Sequence, residues 1–204
     1  MTDKGSLIVI SAPSGTGKGA ILADFNEKYF DDKIIYSISA TTRSPRPGEE
    51  HGVNYYYISK DEFKSKISQG GFLEFAEFCD NFYGTPKDAV MNALENGIDV
   101  ILEIETVGAR KVKKNYPEAV MVFVLPPSME ELKSRLVGRG TETEESVNKR
   151  LEAAKNELKL ASEYDYVIVN DVVEDASYEL NLIIKSQRLK TVNNKNIINE
   201  VLKK

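Results

Sequence analysis

The stretch that most constrains the fold lies near the start of the chain. Leu7-Ile8-Val9-Ile10 is an unbroken apolar run, Ser11 to Gly17 is turn chemistry, and Ile21, Leu22 and Phe25 take up a helical spacing. This reads as strand, loop, helix. A strand without polar alternation has to be buried on both faces, which a parallel sheet covered by helices provides. The runs Val100-Ile101-Leu102-Glu103-Ile104-Glu105, Val120 to Leu125 and Val167-Ile168-Val169 repeat the pattern, each followed by helix-like sequence. Strands alternating with helices specify an α/β fold with a parallel sheet core flanked by helices.

Length and charge bound what such a core can serve. A chain of 204 residues allows one domain with insertions or two small domains. Acidic residues number 32 against 27 basic ones, a net charge of −5, and the basic residues are interspersed. No broad basic field exists for duplex nucleic acid or an anionic membrane, so an anion bound here is expected to be small. One cysteine, Cys79, rules out an internal disulfide, and with one histidine, His51, there is no zinc-spaced ligand set. Leu7 to Ile10 is too short for a signal-peptide core. Val120 to Leu125 falls far below the roughly 20 residues of a membrane helix. A soluble, cytoplasmic protein is expected.

Two insertions interrupt the core. The first, from about Ile34 to Tyr83, is rich in Tyr, Phe, Gly and Ser. In it Ser59-Lys60-Asp61-Glu62 has the pattern of a helix-starting capping box, with Tyr55 to Ile58 and Phe72 to Phe75 reading as flanking strands. The second follows Pro126-Pro127, where Ser128-Met129-Glu130-Glu131 is again a capping box. Gly138 and Gly140 break that helix. A longer one is expected from about Glu144 to Glu163, with Val147, Leu151, Ala154, Leu158 and Ala161 forming an apolar seam. The expected division is a core of 1–36, 91–127 and 164–204, an acceptor-binding mixed α/β insertion of 37–90 and a helical lid of 128–163. The tail, with Ile197, Ile198, Val201 and Leu202, is expected to pack on the body as a short amphipathic helix.

Between the first strand and helix, Ala12-Pro13-Ser14-Gly15-Thr16-Gly17-Lys18 is close to the loop that wraps backbone N–H groups around nucleotide phosphates, with a lysine reaching the outer ones. Two positions depart from the full pattern. Ala12 stands where the first glycine would be, and Gly19 replaces the serine or threonine whose hydroxyl would meet magnesium; Ala20 offers none either. Mg²⁺ is therefore expected to be held by phosphate oxygens, water and a nearby carboxylate. Glu103 and Glu105, two apart at the end of an expected strand, are placed on one face by the period of two, toward the metal or the substrates.

A second phosphate site is expected where Arg43 and Arg46 sit in the proline-stiffened stretch Ser39 to Tyr55, because guanidinium forks bind phosphate oxygens bidentately. With these residues in view, the sequence resembles the guanylate kinases of the nucleoside-monophosphate kinase group. The likeness covers most of the chain. It rests on Ser11 to Lys18, Ser39 to Tyr55, Phe72 to Phe78 with Tyr83-Gly84-Thr85, Gly138 to Ser146 through Arg150-Leu151, and Val167 to Asp171.

The resemblance implies ATP and GMP as substrates, with dGMP left open, Mg²⁺ with the ATP, and transfer of the γ-phosphoryl group. On it, Arg43, Arg46 and Tyr55 hold the GMP phosphate with Glu49 beside them. Ser39, Glu74 and Thr85 read the guanine, Tyr83 and Gly84 lie alongside, and Glu105 sits near the acceptor nucleotide. Residues Ala12 to Ala20 with Asn170 and Asp171 bind ATP. Lys18, Arg43, Arg139 and Arg150 serve the transferred phosphates.

The chemistry stands without the resemblance. Guanine presents two donors, N1–H and the exocyclic amine, to a carboxylate such as Glu74, while Ser39 and Thr85 hydroxyls can donate to O6. Adenine would leave that carboxylate unpaired, which in such sites discriminates by about 10⁴. Phosphoryl transfer needs positioning and cations more than a base, so His51 is expected to be a loop residue. A lid belongs here because water in an open site would take the phosphoryl group. Val107 stands where the family often has glutamine. The rivals are a non-catalytic binding module of the same fold, a kinase of another monophosphate, and a regulatory GTPase. Asn194-Lys195-Asn196-Ile197 does not supply the GTPase's Asn-Lys-x-Asp.

Overall fold

The computed structural model describes residues 4–138 and 143–203. Strand β1 (Leu7–Ser11) leads through the phosphate loop into α1 (Lys18–Lys28), and β2 (Ile34–Tyr36) follows. The first insertion contains β3 (Ala40–Thr41), β4 (Tyr56–Tyr57), α2 (Lys60–Ser68), β5 (Phe72–Phe78) and β6 (Asn81–Pro86). Then come α3 (Lys87–Glu95), β7 (Asp99–Glu103), α4 (Thr106–Asn115) and β8 (Val120–Leu125). A helical hairpin, α5 (Met129–Val137) and α6 (Glu144–Leu158), precedes β9 (Tyr166–Val169), α7 (Val173–Arg188) and α8 (Lys195–Leu202).

Five strands form a parallel sheet in the order β2-β7-β1-β8-β9. Ile8 and Ile10 face α1 and α7, packing with Ile21, Phe25, Leu180 and Ile184, while Leu7 and Val9 face Leu73, Leu94 and Val112. The apolar run is thus buried on both faces, as its lack of alternation requires. After β1 the chain crosses to the edge at β2 and returns through β7, and it then builds β8 and β9 on the other side. The carboxyl end of β1 is therefore the point where the winding reverses, where open α/β sheets take their ligands.

The insertion folds as a second sheet, β4-β3-β6-β5, mostly antiparallel. Its apolar side closes on Phe63 of α2, stacked with Phe72 and Phe82 at 4.3 and 5.4 Å between ring centroids. Both capping boxes form: Ser59 and Ser128 accept from the backbone N–H groups of Glu62 and Glu131. Helix α3 turns Val90 and Leu94 into the core of the parallel sheet.

Three expectations shift. Strand β7 ends at Glu103, because Glu105 takes the cap position of α4 and its carbonyl accepts from Ala109 N at 2.9 Å. Glu103 and Glu105 are therefore not neighbours on one strand face. The long helix stops at Leu158 and tightens to a 3₁₀ turn over Lys159–Glu163. The tail does form a helix, yet Ile197, Ile198, Val201 and Leu202 are all exposed. Among the described residues, no helix is long and apolar enough to cross a membrane.

Candidate active site

The loop after β1 is held from behind. Gly15 and Gly17 take φ values of +92° and +88°, the left-handed region that glycine enters without strain. A side chain at Gly17 would collide with the amide of Asn170, and one at Gly15 would meet Leu136 of α5 at 2.8 Å. The buried Thr16 hydroxyl turns inward to Pro13 O at 2.8 Å. Asn170 Nδ2 donates to Thr16 O at 2.6 Å, and Arg135 Nη1 reaches Thr16 O and Asn170 O at 3.3 and 3.1 Å. Asn170, at 1% exposure, buttresses the loop rather than opening toward solvent, while Asp171 beside it is exposed.

Lys18 is the first residue of α1, with its Nζ 3.3 Å from Glu103 Oε1 across the sheet end. Ala12 is half-buried against the core, and Pro13 is buried. Ser14, Gly19 and Ala20 are exposed. On the other side α6 comes down onto the loop, where Arg150 Nη1 donates to Ser14 Oγ at 3.3 Å. Arg139 lies outside the described residues.

The insertion holds the two arginines expected to meet a second phosphate. Arg43 grips Glu49 with both arms, Nη2 to Oε1 at 3.0 Å and Nη1 to Oε2 at 2.9 Å, and its guanidinium lies over the rings of Tyr55 and Tyr57. Glu49 also accepts from Arg46 N and the Tyr57 hydroxyl, each at 2.8 Å. Arg43, with help from the Arg46 N–H, holds the Glu49 carboxyl down to about 2, and Glu49 in turn raises Arg43. The Arg46 side chain is exposed and makes no ion pair among the described residues. Tyr83 meets Tyr55 edge-on at 6.1 Å. His51 accepts from Tyr57 N at 3.2 Å, a loop contact as expected.

Strand register assembles a third group. Glu74 of β5 pairs with Thr85 of β6, and continuing the Ala40↔Gly84 register by one residue sets Ser39 across from Thr85. Side chains directly opposite across strands share a face, so Thr85 and Glu74 stand together, and Ser39 lies one residue before the start of β3. Thr85 Oγ1 donates to Glu74 Oε1 at 2.8 Å. Glu74 is only 8% exposed, and burial pushes its carboxyl up, against the pull of Thr85 and Lys111. Gly84 packs under Phe63 and Phe72, so its role is close approach.

The junction between β7 and α4 joins these groups. Glu103 at its start touches Lys18, Glu105 caps the helix, and Gly108 lies against Glu74, where a Cβ would sit 3.2 Å from Oε2. Six residues, 103–108, thus span from the phosphate loop to the buried carboxylate. Val107 points outward at 62% exposure.

Nothing local in the sequence marks Arg135, Tyr57 or Gly108 as site residues. Arg135 is an ordinary i,i+4 partner of Glu131 in sequence, at 2.8 Å in the structure, and nothing local announces its reach to the loop. Magnesium suits the carboxylate oxygens present but finds no cage. The Thr16 hydroxyl is engaged, Gly19 has none, and no group of three or more His, Cys, Asp or Glu side chains among the described residues could hold an ion.

A glycine-bent loop and its lysine at the switch point of a parallel sheet, with a helical hairpin against the loop and a second, inserted sheet, define a P-loop kinase. The family model for guanylate kinase matches residues 4–187. A guanylate kinase of Clostridioides difficile is 52% identical over 98% of this chain and 97% of its own length. One from Clostridium acetobutylicum is 52% identical over 92% of this chain and 88% of its own. The crystal structure of guanylate kinase from Anaplasma phagocytophilum superposes with a TM-score of 0.69 at 33% identity, covering 94% of this chain and 90% of that one. The chain belongs to the guanylate kinase family.

Proposed function

We propose that the chain transfers the γ-phosphoryl group of ATP to GMP, giving ADP and GDP. The observation that carries the acceptor assignment is the pair Thr85 and Glu74, a hydroxyl donating to a buried carboxylate, with Ser39 proposed beside them. Guanine alone among the common bases sets two adjacent donors against such a group, with O6 available to the hydroxyls. Arg43, Arg46, Tyr55 and Tyr83 take the GMP phosphate. Arg43 is already held in the fork geometry that a phosphate requires, with the Glu49 carboxylate marking where anionic oxygens fit.

Residues Ala12 to Ala20 wrap the ATP phosphates, with Lys18 on the outer ones and Asn170 and Asp171 behind and beside the loop. The acceptor oxygen belongs to a phosphate that is largely ionised at neutral pH, so no general base is required. The chain's work is to bring two anions end to end and to spread positive charge over the moving group. Lys18, Arg43 and Arg150 do this, and the family resemblance adds Arg139. Mg²⁺ bound with ATP would neutralise phosphate charge, with Glu103, already at the loop lysine, and Glu105 the carboxylates proposed near it.

The three-part division, core 1–36, 91–127 and 164–204, acceptor insertion 37–90 and lid 128–163, follows this assignment. Closure of the lid keeps water from the phosphoryl group. Work inside the cytoplasm suits an enzyme with ATP and GMP as substrates. ADP release measured with ATP and each of GMP, AMP, CMP and UMP tests the reading. GMP is expected to exceed AMP by about 10⁴ in kcat/KM. Equal use of AMP overturns the guanine assignment.

A further inference from the structure

Helix α6 brings an anion as well as a cation to the phosphate loop. Glu157 is seven residues beyond Arg150, a step about 20° short of two full turns, so the two side chains share one stripe roughly 10 Å apart along the axis. Beside that stripe runs the buried seam of Val147 and Ala154, with Leu151, packed on Leu132 and Leu136 of α5. The seam fixes the helix's rotation, and with Arg150 on Ser14 the same flank carries Glu157 in toward the loop. Glu157 is half-buried, and the groups whose charges act on it are Lys18 and Glu105. Lys18 is already paired with Glu103. Burial and the Glu105 charge push the Glu157 carboxyl up, and Lys18 opposes them. A negative group on the flank of α6 that turns toward the loop, and whose charge acts on the loop lysine, opposes the binding of a polyphosphate there, and it needs a reason of its own.

We infer that Glu157 makes the closed lid selective for the metal-bound form of the donor nucleotide, repelling a bare triphosphate and tolerating one whose charge a divalent cation has offset. The inference rests on the donor assignment proposed above. With Gly19 in place of a hydroxyl residue, the loop itself has little grip on the metal, so discrimination falls to charges facing it. Glu157 acts as a positioning and selecting residue: it biases whether α6 stays down, and it does not touch the moving phosphoryl group. Because Arg150 and Glu157 are rigidly joined on one stripe, the cation cannot reach the phosphates without the anion following. A triphosphate without its metal then attracts one end of the stripe and repels the other.

The test is binding of a non-hydrolysable ATP analogue by calorimetry, with Mg²⁺ and with EDTA, to the wild-type chain, Glu157→Gln and Glu157→Asp. In Glu157→Gln the metal-free affinity is expected to rise by roughly fivefold, the scale of one screened charge contact, with the Mg²⁺-bound affinity unchanged within twofold. Glu157→Asp keeps the charge and is expected to keep the wild-type preference. Spin labels at Lys149→Cys and Glu27→Cys in a Cys79→Ser background give a second readout. Metal-free analogue is expected to close the lid in Glu157→Gln and to leave it more open with Glu157 present. An unchanged ratio of metal-bound to metal-free affinity in Glu157→Gln overturns the inference, as does parallel weakening of both forms, which marks a merely structural role. Absence of any analogue binding to the wild-type chain overturns the donor assignment along with it.

Discussion

Arg150 Nη1 lies 3.3 Å from Ser14 Oγ, joining α6 to the phosphate loop. The contact places a guanidinium beside the phosphate loop. The buried seam between α5 and α6 sets the direction of the arginine, so the cation arrives with the helix.

Arg150→Met should therefore act on the chemical step. It removes a donor aimed at charge that develops during transfer, a loss worth about 10² to 10³ in kcat. On the proposed assignment GMP is bound by the other insertion, so its KM should stay within about threefold of wild type, since uniform binding is untouched. Steady-state kinetics with both nucleotides varied separate the two effects. An unchanged kcat would place Arg150 outside the mechanism.

Glu74 should trade stability for recognition. Its folded-state carboxyl is raised above the ordinary glutamate value, chiefly by burial. Such a group contributes stability that is fully present below the unfolded value and lost as pH rises through the folded one, so at neutral pH the ionised Glu74 opposes folding. Glu74→Gln keeps an oxygen for the Thr85 hydroxyl and removes the charge. The variant should melt at a higher temperature than wild type at pH 7, with the gain vanishing near pH 4. Its kcat/KM for GMP should fall by about 10² or more, because a buried amide donor now faces guanine's donors. Calorimetric melts at the two pH values, set beside the kinetics, check both halves.

The same residues show what a sequence can and cannot disclose. The apolar strands, both capping boxes and the glycine-bent loop were legible because each is a local pattern with its own period or cap. Glu74, Arg43 and Arg46 stand out in the sequence by their chemistry and the family resemblance, and their roles belong to the proposed function. Arg135 and Gly108 were not, because their roles depend on distant partners: Thr16 and Asn170 for one, Glu74 for the other. Glu103 and Glu105 misled for a related reason. Period-two spacing puts them on one face only while the strand lasts, and the start of α4 ends it at Glu103.

Gly108 offers a direct check on the junction. A Cβ there would stand 3.2 Å from Glu74 Oε2 and 3.5 Å from its carboxyl carbon, tighter than a carboxylate that must also meet a base can accommodate. Helix propensity pulls the other way, since Ala in place of Gly within a helix adds up to about 1 kcal/mol of stability. Gly108→Ala should thus fold at least as well as wild type while its KM for GMP rises by about tenfold, a shift of about 1.4 kcal/mol. KM for ATP should not move. A parallel rise in both would assign the effect to the fold around α4 instead.

At the opposite end of the sheet, Arg188 ties the last turn of α7 to the entry of β7. Its Nε meets Asp99 Oδ2 at 2.7 Å, and its Nη1 meets Asp31 Oδ2 at 2.9 Å. Asp99 has a side chain only 3% exposed, and its other oxygen accepts from Ser6 N at 2.7 Å. Removing the guanidinium leaves that carboxylate buried and unpaired, whereas Asp31 is open enough to be rehydrated. Arg188→Met should destabilise by about 3 to 5 kcal/mol in denaturant titrations, the usual cost of breaking a buried pair from one side. Adding Asp99→Asn should then recover part of the loss, since it removes the stranded charge and keeps an acceptor for Ser6. Additive losses in the double variant would mean that the stranded charge is not the cause. Because the phosphate loop lies at the other end of β1, kcat should be unaffected at temperatures where both variants remain folded.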